Sequence, residues 1–163
     1  MQIAISRLIL TSCALALASF AIAGDDPLVA RQDLMKSVGK ATKPVGQMLR
    51  GQADFDAAVV MESLKTYEDV SAEFGELFPV GSESGEETEA APAIWEDRAG
   101  FEEALATWQK SISEALAAKP ATLESAKPVL SNVLKSCKGC HDTYRIENDY
   151  PTADPCIPDV VIR

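Results

Sequence analysis

Apolar positions along this chain recur by threes and fours in four stretches, the spacing of one face of an α-helix, and nowhere do they alternate strictly by two. The first stretch opens on Asp26-Pro27, an N-cap followed by proline at the first helical position. Leu28, Met35, Val38, Val45 and Leu49 then form one stripe, and Gly51 supplies a stop. Pro44 lies inside this helix and predicts a kink, because proline removes a backbone donor and crowds the preceding turn. A second helix is predicted from near Asp54 to Pro79, with Val60, Leu64, Tyr67, Phe74 and Phe78 inward. The third runs from about Ala93 to Ala118 on Phe101, Leu105, Trp108, Ile112 and Leu116. The fourth runs from about Ala121 to Ile146, bent early by Pro128. Its inner face carries Leu123, Ala126, Leu130, Val133, Cys137, Cys140 and Tyr144. Between Val80 and Pro92 the Gly-, Ser- and Glu-rich sequence has no period and reads as a solvated connection. The expectation is an all-α domain over residues 24–147, an antiparallel up-down-up-down four-helix bundle. Beyond it, residues 148–163 read as an extended tail, since Pro151, Pro155 and Pro158 exclude a regular helix.

The first 23 residues stand outside this pattern. Arg7 precedes an uncharged apolar run from Leu8 to Ile22, and Ala21-Ile22-Ala23 places small residues where a signal peptidase reads them. Cleavage is expected before Gly24, with export to the periplasm. Retention as an anchor is the competing reading, but the run falls short of the roughly 20 residues a span requires. Lipidation at Cys13 is the other, and there too little apolar sequence precedes the cysteine. The processed chain would carry one more negative charge than the −10 of the whole, because Arg7 leaves and no acid does. That balance argues against nucleic acid or an anionic membrane as partner, and no second long apolar segment calls for membrane insertion. Export also permits disulfides, so a Cys-x-x-Cys pair has to be read by its context.

Cys137-Lys138-Gly139-Cys140-His141 supplies that context. Two thiols three residues apart on a helix reach the two vinyl groups of one haem, and the following imidazole points at its iron. A thioredoxin-like pair would need a βαβ setting that this sequence lacks. A zinc site would need a fourth ligand, and His141 is the only histidine. Bis-histidine ligation within the chain is therefore impossible, leaving methionine, something weaker or nothing in the sixth position. After Met1 is lost, the candidate methionines are Met35, Met48 and Met61; Met48 and Met61 read as packing residues, and core filling is the competing role of Met35 on the inner stripe of its helix. Gly39, one turn beyond Met35, would allow close approach of a haem.

From Arg31 to Arg145 the chain resembles the class II cytochromes c, the cytochrome c′ and cytochrome c-556 family. The carriers are the late motif followed by Tyr144-Arg145, the early Arg31-Gln32-Asp33-Leu34-Met35, and Ala93-Ile94-Trp95. The resemblance implies one covalently bound haem c on Cys137 and Cys140, with His141 as proximal iron ligand. It further implies Arg31 near the haem propionates, Arg145 near the proximal imidazole and Met35 on the distal side. In the c-556 branch a methionine there binds iron. In the c′ branch the position usually holds a non-ligating side chain and the iron is five-coordinate. Cys156, in a tail longer than the family usually shows, is left either free or bridging two chains.

Charge is distributed unevenly. Residues 52–114 carry three basic against sixteen acidic side chains, whereas 24–51 carry five against three and 115–145 five against two. Lys36, Lys40, Lys43, Lys135 and Lys138 would surround the haem edge and steer an acidic redox partner, or else form ordinary solvated helix faces. The expected function is single-electron transfer through a haem held by His141 and Met35, with redox proteins as partners and a monomer or homodimer as the state. The alternative is nitric oxide or carbon monoxide binding at an open distal site. A peroxidase-like enzyme is disfavoured, because no second histidine is available as distal acid or base.

Overall fold

The computed structural model describes residues 26–85 and 88–146. The expected signal segment 1–23, with Cys13, and the tail 148–163, with Cys156, lie outside the described residues. Helix α1 spans Pro27–Leu49, and the Asp26 carboxylate accepts the Leu28 N–H at 2.9 Å as its cap. Gly51 ends the helix in the left-handed region at φ 69°, which glycine adopts without side-chain strain. Helix α2 spans Ala57–Glu73. It starts later than expected because Asp56, not Asp54, is the cap, accepting the N–H groups of Ala58 and Val59 at 2.8 and 3.2 Å. Before Pro79 it tightens into a 3-10 turn over Phe74–Leu77.

The predicted third helix is divided. A short α3, Ala93–Glu96, and the long α4, Arg98–Ala118, meet at Asp97, whose φ −124° and ψ 61° are not helical. Its side chain accepts the Gly100 N–H at 3.1 Å and caps α4, so the aspartate competes with the helix for a backbone donor. Helix α4 stops at Lys119, φ 44°, just before Pro120. Helix α5, Leu123–Tyr144, begins with a capping box in which Thr122 and Ser125 bond reciprocally. Pro44 and Pro128 both lie inside unbroken helices.

The four long helices pack in sequence, α1 on α2, α2 on α4 and α4 on α5, while α1 and α5 touch much less. Leu64, Phe101, Ile112, Val38, Val45, Val60 and Val133 are fully buried along the axis. Polar ties bridge neighbouring helices inside this core. Thr42 and Tyr67 share a hydroxyl hydrogen bond of 2.8 Å between α1 and α2, and Ser111 and Ser136 share one of 2.9 Å between α4 and α5. Such pairs satisfy buried hydroxyls that would otherwise be costly to desolvate. One end of the bundle is closed by edge-on aromatic contacts, with Phe78 centred 5.1 Å from Phe74, 5.8 Å from Trp95 and 4.9 Å from Phe101.

The connection before α3 is not wholly detached from the bundle. Ala91 donates its N–H to the Tyr144 carbonyl at 3.0 Å, and Ile146 donates to the Glu89 carbonyl at 2.8 Å. Ala90 and Arg145 thus face each other in an isolated antiparallel bridge, pinning the chain just after α5. Among the described residues no helix is long and apolar enough to cross a membrane.

Candidate haem site

Near the C-terminal end of α5, Cys137, Cys140 and His141 occupy positions i, i+3 and i+4, which stack on one helix face. Across the sparse seam between α5 and α1 stands Met35. A small cavity of about 30 Å³ lies between them, lined by Met35, Val38, Phe74, Leu105, Trp108, Cys137, Cys140 and His141. The four residues expected at the iron and its attachment are therefore brought together from the two ends of the domain. The walls are apolar and come from all four long strokes of the bundle, Phe74 through the 3-10 turn after α2. Burial pushes the Cys140 thiol up to about 11, so it is a neutral thiol at ordinary pH.

The two arginines do not line this cavity. Arg31 is one turn before Met35 and is 5% exposed. Its Nε donates to the Pro27 carbonyl at 3.1 Å and its Nη2 to the Ser82 carbonyl at 3.0 Å. The guanidinium lies 4.7 Å from the Phe78 ring centre and 5.8 Å from that of Trp95. Burial lowers its affinity for the proton, and the nearby Asp26 carboxylate opposes that shift. Arg145 caps α5, with its N–H donated to the His141 carbonyl at 3.2 Å. Its side chain is turned to Glu89, Nε to Oε2 at 2.7 Å. Sequence reasoning missed Glu89, and no local signal marks one glutamate in an acid-rich connection as a partner for a residue 56 positions on.

Of the five lysines expected around the edge, Lys36 is paired with Asp33 at 3.1 Å and Lys138 with Asp142 at one turn's spacing. Lys40, Lys43 and Lys135 are exposed. On its other side Cys140 borders an open groove between α4 and α5, lined by Glu103, Lys110 and Glu114 of α4 and by Lys135 of α5.

The chemistry of the residues fits a haem. Two thiols one turn apart match its two vinyl groups, and an imidazole and a thioether match its axial positions. Two buried donors, Arg31 Nη1 and Trp108 Nε1, have no acceptor among the described residues. A buried donor left unmade costs about 1–3 kcal/mol, and haem carries two carboxylates able to accept. A bare metal centre fits less well, since among the described residues no group of three or more His, Cys, Asp or Glu side chains could hold an ion.

Comparison with known proteins agrees. The family model described as Cytochrome C′ matches residues 26–145. A cytochrome c′ of Rhodopseudomonas palustris is 40% identical over 129 residues, covering 77% of this chain and 86% of that protein. A solved structure of cytochrome c′ from the same species superposes with a TM-score of 0.73 at 37% identity, covering 77% of this chain and all of the other. A cytochrome c-556 of Agrobacterium tumefaciens (strain II Chrys) is 31% identical over 117 residues, covering 72% of this chain and 94% of that protein. The nitric oxide complex of a mutant cytochrome c′ from Alcaligenes xylosoxidans superposes with a TM-score of 0.66 at 30% identity, covering 74% of this chain and 94% of the other. This chain belongs to the cytochrome c′ family of four-helix electron-transport proteins, and its cofactor is one covalently attached haem c.

Proposed function

We propose that the protein is an exported single-electron carrier whose haem is bound through Cys137 and Cys140, ligated by His141 on the proximal side and by Met35 on the distal side. The observation that carries this reading is the shared cavity, which Met35 enters from α1 and His141 from α5. Direct packing between α1 and α5 is sparse, and Met35 and His141 would be the donors that the two helices offer to a haem iron at that cavity. Haem supplies the redox-active iron, and the chain's own residues set the conditions around it. Two ligands that persist in both oxidation states keep rearrangement small, and a methionine ligand with an apolar surround raises the potential. Arg31 Nη1, buried and without an acceptor among the described residues, is suited to a propionate. Arg145 would lie beside the proximal imidazole.

The same reading places the signal peptide at 1–23, with cleavage before Gly24, the working domain at 24–147 and the product in the periplasm. Partners are redox proteins with an acidic docking surface, drawn to the lysines flanking the α1–α5 seam, and the protein acts as a carrier rather than an enzyme, as a monomer or homodimer. A second reading is supported by the 40% identity to a cytochrome c′ and by the nitric oxide complex of a related protein. In it Met35 is a packing residue, and the open distal face takes nitric oxide or carbon monoxide.

Absorption spectra of the holoprotein, oxidised and reduced, separate the two when repeated for Met35→Ala. The electron-carrier reading expects a low-spin spectrum with a methionine-to-iron charge-transfer band that the substitution abolishes. A high-spin spectrum indifferent to the substitution would overturn Met35 ligation and favour gas binding.

A further inference from the structure

Helix α5 ends immediately after the residues that hold the haem, and what fixes that end comes from the opposite side of the sequence. Arg145 follows His141 by four residues, one helical turn, and its N–H is donated to the His141 carbonyl. At φ −117° and ψ 137° its backbone has already left the helix, so α5 itself no longer dictates where the side chain goes. The connection before α3 does. Hydrogen bonds on either side of the Ala90–Arg145 bridge, Ala91 to Tyr144 and Ile146 to Glu89, set the register between the two segments. That register brings the Glu89 carboxylate to 2.7 Å from Arg145 Nε. The side chains are 24% exposed for Arg145 and 39% for Glu89, so the pair is partly shielded from water and better ordered than an open surface bridge.

We propose that Glu89 is a positioning residue for Arg145 and, through it, tunes the electrostatic environment on the His141 side of the haem. The inference rests on His141 being the proximal ligand. A guanidinium one turn from that ligand acts on the iron according to where it is held and how much of its charge is offset. Glu89 contributes to both, through the 2.7 Å contact with Arg145 Nε. The acid-rich connection thereby becomes part of the redox machinery, although none of its described residues lines the cavity.

A simple clasp that only ties the connection to α5 would alter stability and leave the potential alone, so the potential is the measurement. Midpoint potentials of the holoprotein would be compared for wild type, Glu89→Gln, Glu89→Asp, Arg145→Gln and Glu89→Gln with Arg145→Gln. Removing the carboxylate is expected to shift the reduction equilibrium towards the ferrous form by about threefold, roughly 28 mV for one electron. Glu89→Asp should return most of that shift. In the Arg145→Gln background the effect of Glu89→Gln should change by at least about twofold, the signature of coupling in a double-mutant cycle. Equal shifts with and without Arg145 would make Glu89 a remote charge and overturn positioning. Loss of thermal stability with an unchanged potential would make it a clasp and overturn the inference as well. His141→Ala serves as the separate check on the premise. If that variant keeps the wild-type axial spectrum, the ligation reading fails and the inference falls with it; if the spectrum changes and the cycle is additive, only the inference fails.

Discussion

Replacing Gly100 by alanine sets two physical effects against each other. Gly100 lies in the first turn of α4, and helix propensity alone predicts that alanine stabilises such a position by roughly 0.5–1 kcal/mol. The surroundings predict the reverse. A Cβ built at Gly100 would overlap the Asp97 carboxylate and come within 2.5 Å of the Tyr144 hydroxyl, separations that real methyl groups do not reach. The carboxylate is already committed twice, accepting the Gly100 N–H at 3.1 Å and the Tyr144 O–H at 3.2 Å. Moving it aside loses the cap of α4, worth about 1 kcal/mol, and the displacement of packed groups by the added methyl costs about 1–3 kcal/mol more. After subtracting the gain in propensity, Gly100→Ala should destabilise the holoprotein by about 1–3 kcal/mol.

The assay is guanidinium chloride unfolding followed by far-UV circular dichroism, with the midpoint falling and the slope unchanged. Combining Gly100→Ala with Tyr144→Phe should be less damaging than the two separate losses added, because the second substitution removes one of the atoms that the new methyl strikes. A midpoint equal to or above that of wild type for Gly100→Ala would show that α4 starts elsewhere and that the Asp97–Tyr144 lock is not what fixes the foot of α5.

Three further outcomes follow from the same structure. Phe101→Ala removes a side chain that is 1% exposed and sits edge-on to both Phe78 and Tyr144, so it should cost about 3–5 kcal/mol in denaturant unfolding; a loss under about 1 kcal/mol would mean that the aromatic end is not packed as described. Burial, reinforced by Asp97, holds the Tyr144 phenol above its ordinary value. A raised folded value contributes stability below the unfolded tyrosine value near about 10 and loses it as pH rises through the folded one. The stability gap between wild type and Tyr144→Phe should therefore narrow above that pH, and parallel curves would refute the assignment. Reduction by a small anionic reagent such as ferrocyanide should slow with rising ionic strength, and Lys138→Glu should slow it at low salt; indifference to both would remove the case for steering by the α1–α5 lysines.

What could be read from the sequence was what the chain encodes locally. Asp26-Pro27 states the start of α1 within two residues, and the stripe from Leu123 to Tyr144 states both the length of α5 and the face that turns inward. The start of α2 was read too early, near Asp54, for an equally local reason. Asp54 and Asp56 are both competent caps, and only the folded chain shows whose carboxylate meets the N–H groups of Ala58 and Val59. The division of the third helix could not be read. Aspartate in mid-helix is tolerated, and Asp97 breaks the helix while its carboxylate takes bonds from Gly100 and from Tyr144, 47 residues later.

The site divides along the same line. Cys137, Cys140 and His141 were legible because their spacing carries the chemistry in five consecutive residues. From spacing and composition Met35 was one of three methionines and only the resemblance singled it out; in the bundle it is the one of the three that lines the cavity with His141. The partners that hold the arginine side chains were not legible, since both lie in the connection before α3. Ser82 accepts from Arg31 and Glu89 from Arg145, across 51 and 56 residues respectively. A segment with no hydrophobic period contributes nothing to a pattern-based reading, yet its carbonyls and one carboxylate decide where two positive charges flanking the α1–α5 seam are held. In this bundle the helices bring Met35 and His141 to one cavity, and the irregular segment between α2 and α3 holds Arg31 and Arg145 in place.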